Sequence, residues 1–288
     1  MRVNARMNRV KTALAVAAAA AAVAPATAGA QVAQDPTLAP PPKPILYKLD
    51  QTPIVMLAGD GGGLPFLGSK DAYDAGDWED HLRAYVNDGV YAGQLEQIGS
   101  QAQRFLRSFK RRDGRWFGPR IHGRGHSHSA RVATHRHRLG KKLAIVLDID
   151  ETTLSNYSAI DADGFTFGPK SRAEAQDQVG VQIAPTKDLF DLAKARGIAV
   201  FFVTGRAESA RTPTEQNLAR EGFTGYQQLF LKPAGFTGST LEYKSGARAQ
   251  IEDQGYKIVE NVGDQFSDLA GGHAIRGFKY ANPFYFLP

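Results

Sequence analysis

Two aspartates, Asp148 and Asp150, follow directly on the apolar run Ile145–Leu147. Alternate side chains of an extended chain lie on the same side of the backbone, so the two carboxylates are expected to face the same way. Burying unpaired charge is costly, and a strand has no structural need for two such acids at its end. The pair therefore predicts a cationic partner or a reactive role, and it points to phosphoryl chemistry.

Further polar residues occur next to later apolar runs. Thr204 and Gly205 come directly after the run that ends at Val203. Lys244 opens a predicted helix, and the apolar run after that helix is followed by Asp264. The carboxyl ends of parallel strands form the active-site edge of an open α/β sheet, so these residues are expected to meet there.

Each of these residue types suits one part of phosphoryl transfer through a covalent intermediate. Asp148 can attack phosphorus, and Asp150 can deliver and later withdraw a proton. Thr204 can hold a phosphoryl oxygen, and Lys244 can neutralise one. Asp264 and Asp148 together offer hard oxygen ligands that suit Mg²⁺, and a metal ion would also explain how several acids coexist.

The elements that position these residues alternate between strand and helix from Lys141 onward. Such repetition predicts an open parallel sheet with helices on both faces. Strands are predicted at 143–147, 198–203, 228–231, 257–262 and 275–278, and helices at 185–196, from a capping box at Thr212-Pro213-Thr214-Glu215 to about Gly222, and at about 241–254.

An amphipathic helix is predicted ahead of this region. Its apolar stripe has helical spacing and consists of Tyr91, Leu95, Ile98, Ala102, Phe105 and Phe109. Gly93 and Gly99 lower its helix propensity, so tertiary packing must hold it.

Four motifs in order resemble those of the haloacid dehalogenase (HAD) superfamily, in particular its acid phosphatase branch of bacterial class C acid phosphatases and plant vegetative storage proteins. They are Asp148-Ile149-Asp150-Glu151-Thr152, Val203-Thr204-Gly205-Arg206, Tyr243-Lys244-Ser245 and Gly263-Asp264-Gln265-Phe266-Ser267-Asp268. The resemblance covers residues 75 to 288, including the closing Phe278–Pro283. It implies a HAD-like Rossmannoid three-layer α/β sandwich with a central parallel sheet, a minimal cap and an N-terminal helical extension.

The resemblance also implies a role for each catalytic position. It makes Asp148 the nucleophile and Asp150 the acid and base. It makes Thr204, Gly205 and Lys244 the phosphate-binding residues.

The same resemblance implies a magnesium site. Mg²⁺ would be held by the Asp148 side chain, the Asp150 backbone carbonyl and Asp264. Asp268 would orient either Lys244 or a water on the metal.

Two further basic residues in or near the motifs are not assigned to the predicted site. Lys232 competes for the lysine role, but it precedes Pro233 at a strand end and its spacing fits the motif less well. Arg206, taken alone, is interpreted as a surface or structural ion pair and is left out of the catalytic set.

The chain departs from the family pattern around the substrate. Ala159 stands where the family often has an aromatic residue, and Tyr157 lies on another face, which puts a stacking contact with a substrate ring in doubt. The stretch 161–181 is short for a cap domain. An open site that accepts small, varied phosphomonoesters is therefore expected.

The first thirty residues have the pattern of a signal peptide. A basic start precedes an apolar run at 13–24, and Ala28-Gly29-Ala30 forms a cleavage pattern that predicts a mature start at Gln31. The interrupted alanine-rich run is too short to span a membrane comfortably, and the chain has no cysteine for a disulfide or a lipid anchor. We therefore expect a secreted or periplasmic protein, with a Pro/Gly-rich leader at 31–74 and the phosphatase domain at 75–288.

Positive charge is concentrated between Arg104 and Lys142. This segment contains thirteen Lys and Arg residues and one acid, Asp113, although the net charge of the whole chain is only +6. Part of it, about 110–140, is predicted to be a flexible, solvated insertion. A more specific hypothesis is that the positive charge of this segment attracts anionic substrates or polyanionic surfaces. His-pair metal binding, at His126 and His128 or at His135 and His137, is the weakest of the readings.

These observations predict a secreted, Mg²⁺-dependent acid phosphatase that acts through an aspartyl-phosphate on phosphomonoesters, with a 5′-nucleotidase-like activity as one form of it. Two other functions remain open at this point. One is a non-catalytic storage or binding protein on the same scaffold, and the other is a polyanion- or surface-binding protein that uses the 104–142 segment.

Overall fold

The computed structural model describes residues 44–50, 52–57, 79–120, 136–140, 142–165 and 180–285. The strands are β1 Pro44–Leu49, β2 Thr52–Leu57, β3 Lys110–Arg112, β4 Arg115–Arg120, β5 Arg136–Arg138, β6 Leu143–Leu147, β7 Leu154–Ser155, β8 Val181–Gln182, β9 Ala199–Ala207, β10 Gln228–Lys232, β11 Lys257–Gly263 and β12 Arg276–Lys279. The α-helices are α1 Glu79–Asn87, α2 Val90–Ser108, α3 Tyr157–Ala162, α4 Ala184–Ala195, α5 Arg211–Arg220, α6 Thr240–Asp253 and α7 Phe266–Leu269.

The main sheet has seven strands in the order β1-β2-β12-β11-β6-β9-β10. The six strands from β2 to β10 are parallel to their neighbours, and β1 pairs antiparallel with β2. Non-sequential neighbours require helical crossovers, which cover the faces of the sheet. The predicted parallel α/β sheet is confirmed, and the predicted strand 143–147 coincides with β6.

Helices pack on both faces of the sheet because the central strands are apolar on both sides. On β6, Ile145 and Leu147 face the core that includes α2 and α4, whereas Ala144 and Val146 face the core that includes α6. This alternation gives the three layers. In the strand order, β6 is an interior strand between β11 and β9.

The predicted amphipathic helix is α2, and Gly99 explains how it packs. A Cβ atom at Gly99 would lie 2.4 Å from Cβ of Pro185 in α4. The glycine therefore costs helix propensity but allows α2 and α4 to approach closely. The predicted apolar stripe is buried along the whole helix.

Two parts of the chain differ from the sequence predictions. Residues 44–57, inside the segment interpreted as a leader, form the β1–β2 hairpin at the edge of the main sheet, because β2 pairs with β12. The basic insertion is ordered in part, since β3, β4 and β5 form a separate antiparallel sheet. Asp113 and Gly114, both with positive φ, make the two-residue turn between β3 and β4.

The predicted capping box at Thr212 is wrong. Helix α5 begins at Arg211, its N-cap is Ala210, and no side chain caps it. A short 3₁₀ turn, Glu208–Ala210, leads into the helix, so Thr212 lies within the first helical turn. Thr214 is buried, and its hydroxyl accepts a hydrogen bond from Arg206.

Several predictions concern residues outside the described ranges. They are the signal peptide at 1–30, part of the Pro/Gly-rich leader at 31–74, most of the short cap at 161–181 and the paired histidines at 126, 128 and 135. Within the described ranges, the model has no helix that combines the length and the apolarity needed to cross a membrane.

One acid is buried in the core beneath α2. Glu260 on β11 is fully buried, and neither carboxylate oxygen accepts a hydrogen bond within the described part of the chain. Arg276, its register partner on β12, lies over the Phe105 ring at 4.1 Å. Burial raises the pKa of Glu260 well above its ordinary value, although Arg276 and Arg196 oppose the rise.

Glu260→Gln is expected to increase the free energy of unfolding relative to wild type, and to do so more at pH 7 than at pH 4.5. Above its ordinary pKa, Glu260 loses a proton in the unfolded chain but keeps it in the folded chain, so the wild type loses stability as pH rises through that window. Between pH 4.5 and pH 7, the unfolding free energy of the variant should rise relative to that of wild type by at least about 1 kcal/mol. Urea unfolding at both pH values measures it, with the exposed Glu96→Gln as control. An equal pH dependence of wild type and Glu260→Gln would contradict the assignment.

Candidate active site

Asp148 is the first residue after β6 and is fixed by its backbone. Its N–H donates to the Val262 carbonyl at 2.9 Å, and its carbonyl accepts from the Thr153 hydroxyl at 2.5 Å. The side chain is only 6% exposed. The neighbouring strand and the following turn thus hold the carboxylate at the carboxyl edge of the sheet.

Lys244 is the fifth residue of α6 and reaches this carboxylate. The helix start is fixed by a capping box, in which Ser239 Oγ accepts from the Glu242 N–H and the Glu242 carboxylate accepts from the Ser239 N–H. Lys244 Nζ donates to Asp148 Oδ1 at 2.5 Å and also to Asp268 Oδ1. Burial lowers the pKa of Lys244, but the two carboxylates outweigh it and the pKa is raised.

Asp268 approaches the site because residue 263 has no side chain. A Cβ at Gly263 would lie 2.4 Å from Cβ of Asp268. The second Asp268 oxygen accepts from the Gln265 N–H at 2.8 Å, which fixes the start of α7. Asp268 thus contacts Lys244 directly, and the role that the resemblance implies for it stays a prediction.

Asp264 follows β11 and is held by three neutral donors. Its oxygens accept from the Thr152 hydroxyl at 3.2 Å, from Gln265 Nε2 at 2.6 Å and from Asn282 Nδ2 at 2.7 Å. Burial raises the pKa of Asp264 to about 7, and repulsion by Asp268 adds to the rise. Asn282 comes from the C-terminal segment, a contact that the sequence analysis did not predict.

The three carboxylates fit a divalent cation. One oxygen each of Asp148, Asp264 and Asp268 lie within 4.8 Å of one another, and all three side chains are buried. One ammonium group, that of Lys244, faces three acids, and burial raises the pKa of Asp148 well above its ordinary value despite that lysine. Hard oxygen ligands with uncompensated negative charge are what Mg²⁺ prefers. The cluster contains Asp148 and Asp264 of the predicted magnesium ligands and adds Asp268.

Asp150 has a different cationic partner. Arg206 Nη2 donates to Asp150 Oδ1 at 2.6 Å, Arg206 Nε lies 3.1 Å from both Asp150 oxygens, and Asn156 Nδ2 donates to Oδ1 at 2.9 Å. Burial opposes ionisation of Asp150, but Arg206 and Asn156 outweigh it and lower the pKa. The two aspartates of the motif therefore have opposite electrostatic environments.

The ion pair predicted for Arg206 is present, but it is buried and lies inside the site, because its partner is Asp150. The Arg206 side chain is 3% exposed, and Nη1 donates to the hydroxyl of the buried Thr214 at 3.1 Å. The available signal was its position two residues after Thr204, which puts both side chains on one side of β9. Nothing in the local sequence indicated that its partner would be Asp150.

Two of the three predicted phosphate-binding residues, Thr204 and Gly205, lie near the end of β9. Thr204 is fully buried, and its hydroxyl accepts the Arg206 N–H at 3.1 Å. At Gly205, a Cβ would meet no heavy atom within 4 Å, so the space beside this backbone is open. A hydroxyl and an unobstructed backbone suit the binding of an oxyanion.

Glu151 supports the turn between Asp150 and β7. It has a left-handed backbone with φ of 54°, and its carboxylate accepts from the Asn156 N–H at 2.6 Å and from the Ser155 hydroxyl at 3.1 Å. The Tyr91 hydroxyl of α2 donates to it at 3.3 Å. Burial raises the pKa of Glu151 to about 8. The sequence analysis quoted Glu151 in its motif but gave it no role.

Lys232, the other candidate for the lysine role, and Tyr157, considered for a stacking contact with substrate, lie outside the site. Lys232 ends β10, the edge strand beyond β9, and forms no ion pair with the residues that the structure describes. Tyr157 packs against Phe165 and Phe284, with ring centroids 6.1 and 5.4 Å apart, so it is part of an aromatic cluster.

Lys244→Met is expected to destabilise the metal-free protein by about 3 kcal/mol, because it leaves two buried carboxylates without their cation. Lys232→Met is the matched control and should change the free energy of unfolding by about 0.5 kcal/mol or less. Urea unfolding at pH 7 with a metal chelator compares them. Equal effects of the two substitutions would show that the buried ion pairs do not stabilise the fold.

Comparison with known proteins identifies the family of this site. A model of the HAD superfamily, subfamily IIIB (acid phosphatase), matches residues 125–288. Among similar sequences, a stem 31 kDa glycoprotein of Glycine max is 34% identical over 149 residues, 49% of this chain and 59% of the relative. Acid phosphatase 1 of Solanum lycopersicum is 34% identical over 148 residues, 49% of this chain and 58% of the relative.

Vegetative storage protein 1 of Arabidopsis thaliana is also similar, with 29% identity over 150 residues, 50% of this chain and 55% of the relative. The chain thus spans less than two thirds of the length of these relatives. A solved class C acid phosphatase from Bacillus anthracis with tungstate bound shares the fold, with a TM-score of 0.51 and 17% identity over 73% of this chain and 86% of that one. The ordered motifs, their convergence on one edge of the sheet and the match over more than half of its length show that this chain belongs to the HAD superfamily, subfamily IIIB, of acid phosphatases.

Proposed function

We propose that this chain is an exported, Mg²⁺-dependent acid phosphatase that hydrolyses phosphomonoesters through an aspartyl-phosphate on Asp148. The observation that carries the proposal is the buried set of Asp148, Lys244 and Asp268 beside Asp264, with Asp150 directed to a separate cation. The family match and a relative named as an acid phosphatase support it.

In the first half of the proposed reaction, an Asp148 oxygen attacks phosphorus and the bond from phosphorus to the leaving oxygen breaks. Asp150 in its protonated form gives a proton to that oxygen, so an alcohol leaves. Lys244 and the Thr204 hydroxyl bind phosphoryl oxygens, and the open backbone at Gly205 leaves room for them. Bound at Asp148, Asp264 and the Asp150 carbonyl, Mg²⁺ would supply positive charge against the phosphoryl oxygens.

In the second half, Asp150 withdraws a proton from a water that attacks the aspartyl-phosphate. The bond between phosphorus and Asp148 breaks, and inorganic phosphate and the free carboxylate result. The ion pair with Arg206 favours the ionised form of Asp150, which is the form that accepts a proton.

The proposed export to the periplasm or the medium is supported by the signal-peptide pattern at 1–30. A non-catalytic storage protein is the second candidate function, because a relative carries that name. The complete set of nucleophile, acid, lysine and supporting aspartate favours catalysis.

Asp148→Asn is expected to lower turnover by at least about a thousandfold, because the amide cannot attack phosphorus. Phosphate release from aryl phosphates, nucleoside monophosphates and sugar phosphates with Mg²⁺ is the measurement, and chelation of the metal should also abolish it. Asp191→Asn, at an exposed acid on α4, is the control. If folded wild-type protein releases no phosphate from any of these substrates, the storage function is favoured instead.

Arg206→Gln is expected to lower kcat about tenfold or more for alkyl phosphates, and much less for p-nitrophenyl phosphate. The reason is that Arg206 holds the acid Asp150, and a poor leaving group depends on protonation whereas nitrophenolate does not. Loss of the arginine also raises the pKa of Asp150, so the limb on which the rate with alkyl phosphates falls with rising pH should move to higher pH.

Two variants distinguish this positioning role from general damage to the fold. Arg206→Lys keeps the charge and should recover part of the alkyl phosphate activity, and Thr214→Val removes only one of the arginine contacts. An equal loss with both classes of substrate would mean that Arg206 does not act through Asp150.

A further inference from the structure

The described part of the basic segment carries an exposed cationic surface. Six side chains, which we call the basic face, are all exposed on the end of α2, on β3 and at the start of β4. They are Arg104, Arg107, Lys110, Arg111, Arg112 and Arg115. Asp113, in the turn between β3 and β4, is the only acid in this stretch.

These bases lack the acidic partners that several basic residues elsewhere have. Arg211 pairs with Glu208 at 2.5 Å and Lys187 with Asp191 at 2.5 Å, and Arg220 and Lys257 also form ion pairs. No member of the basic face forms an ion pair within the described ranges. Its repulsion also reaches Arg196, whose pKa is lowered first by burial and then by Arg107. An anionic partner would offset this concentration of like charge.

The basic face lies at the opposite edge of the sheet from the catalytic residues. Trp116 on β4 is buried under Arg111 and Arg196, whose guanidinium carbons are 5.9 and 5.6 Å from its ring. Arg196 caps the end of α4, just before β9 begins at Ala199. Thr204 is five residues further along β9, about 16 Å away at the rise of a strand. The basic face is therefore not a funnel for substrates of the active site.

The chemistry of the basic face suits the phosphate groups of lipids rather than the nucleobases of nucleic acids. Single-stranded nucleic acids are bound by aromatic side chains that stack on bases, and Trp116 is only 2% exposed. The exposed large apolar side chains of the described residues, Leu46, Val90, Val181 and Phe236, are not in the basic face, so nothing there is available to insert into a bilayer. A cluster of arginines contacts phosphate groups by charge and hydrogen bonds.

We propose that the basic face docks the protein on a membrane surface rich in anionic phospholipids, with the active site directed away from the bilayer. The charge of the face, its lack of acidic partners and its position opposite the catalytic edge carry this inference. An exported protein would meet such a surface, whereas duplex nucleic acid is the competing partner. The proposal does not depend on the catalytic activity of the site.

The test is sedimentation of the purified full chain with vesicles of phosphatidylcholine, alone or mixed with phosphatidylglycerol. Binding is expected only with phosphatidylglycerol and should weaken steeply with salt. The combined variant Arg107→Gln, Lys110→Gln, Arg112→Gln and Arg115→Gln should bind at least about tenfold more weakly. The control variant Lys187→Gln, Arg211→Gln, Arg220→Gln and Lys257→Gln loses the same charge from ion-paired bases and should bind nearly as wild type.

Three outcomes would overturn the proposal. They are no binding to phosphatidylglycerol vesicles at low salt, equal weakening in the two variants, and displacement from the vesicles by duplex DNA at lower phosphate concentration than that of the lipid. Retained hydrolysis of a soluble aryl phosphate by the vesicle-bound protein would support the orientation. Loss of that hydrolysis on binding would contradict it, and a lack of activity in free and bound protein alike would count only against the proposed function.

Discussion

The site depends on one buried ammonium group. Lys244 lies between Asp148 and Asp268, with each of the three side chains no more than 6% exposed. Without that cation, two carboxylates at the sheet edge would face each other in a poorly solvated space. Much of the local structure serves this contact: the capping box sets the start of α6, and the missing side chain at Gly263 admits Asp268.

Different partners give the paired aspartates of the motif different chemistry. Asp148 shares its lysine with a second acid and stands near a third, so it retains negative charge that a divalent cation can offset. Asp150 has Arg206 to itself, supported by Asn156 and Thr214, and its pKa is lowered. Two residues of identical type thus become suited to different chemistry because their cations come from different elements, Lys244 from α6 and Arg206 from β9.

The same sheet separates two kinds of charge. Its carboxyl edge collects the acids of the site, and its amino edge carries the basic face on α2, β3 and β4. The overall net charge of +6 conceals this division, because the acids and bases lie on opposite edges. Fields of opposite sign at opposite edges can orient a protein toward an anionic surface without drawing its substrates there.

The sequence by itself determined the fold class and the central strands, because apolar periodicity is a local property of the chain. The order of four motifs, also local, predicted a set of site residues that the structure brings to one edge of the sheet: Asp148, Asp150, Thr204, Lys244, Asp264 and Asp268. It failed where a partner is remote: the pairing of β2 with β12, the contact of Arg206 with Asp150 across 56 positions, and the donation by Asn282 to Asp264. An isolated arginine has the same local pattern whether it faces solvent or a buried acid. Only the tertiary structure decides, because strand order determines which distant residues share the edge where charge must be balanced.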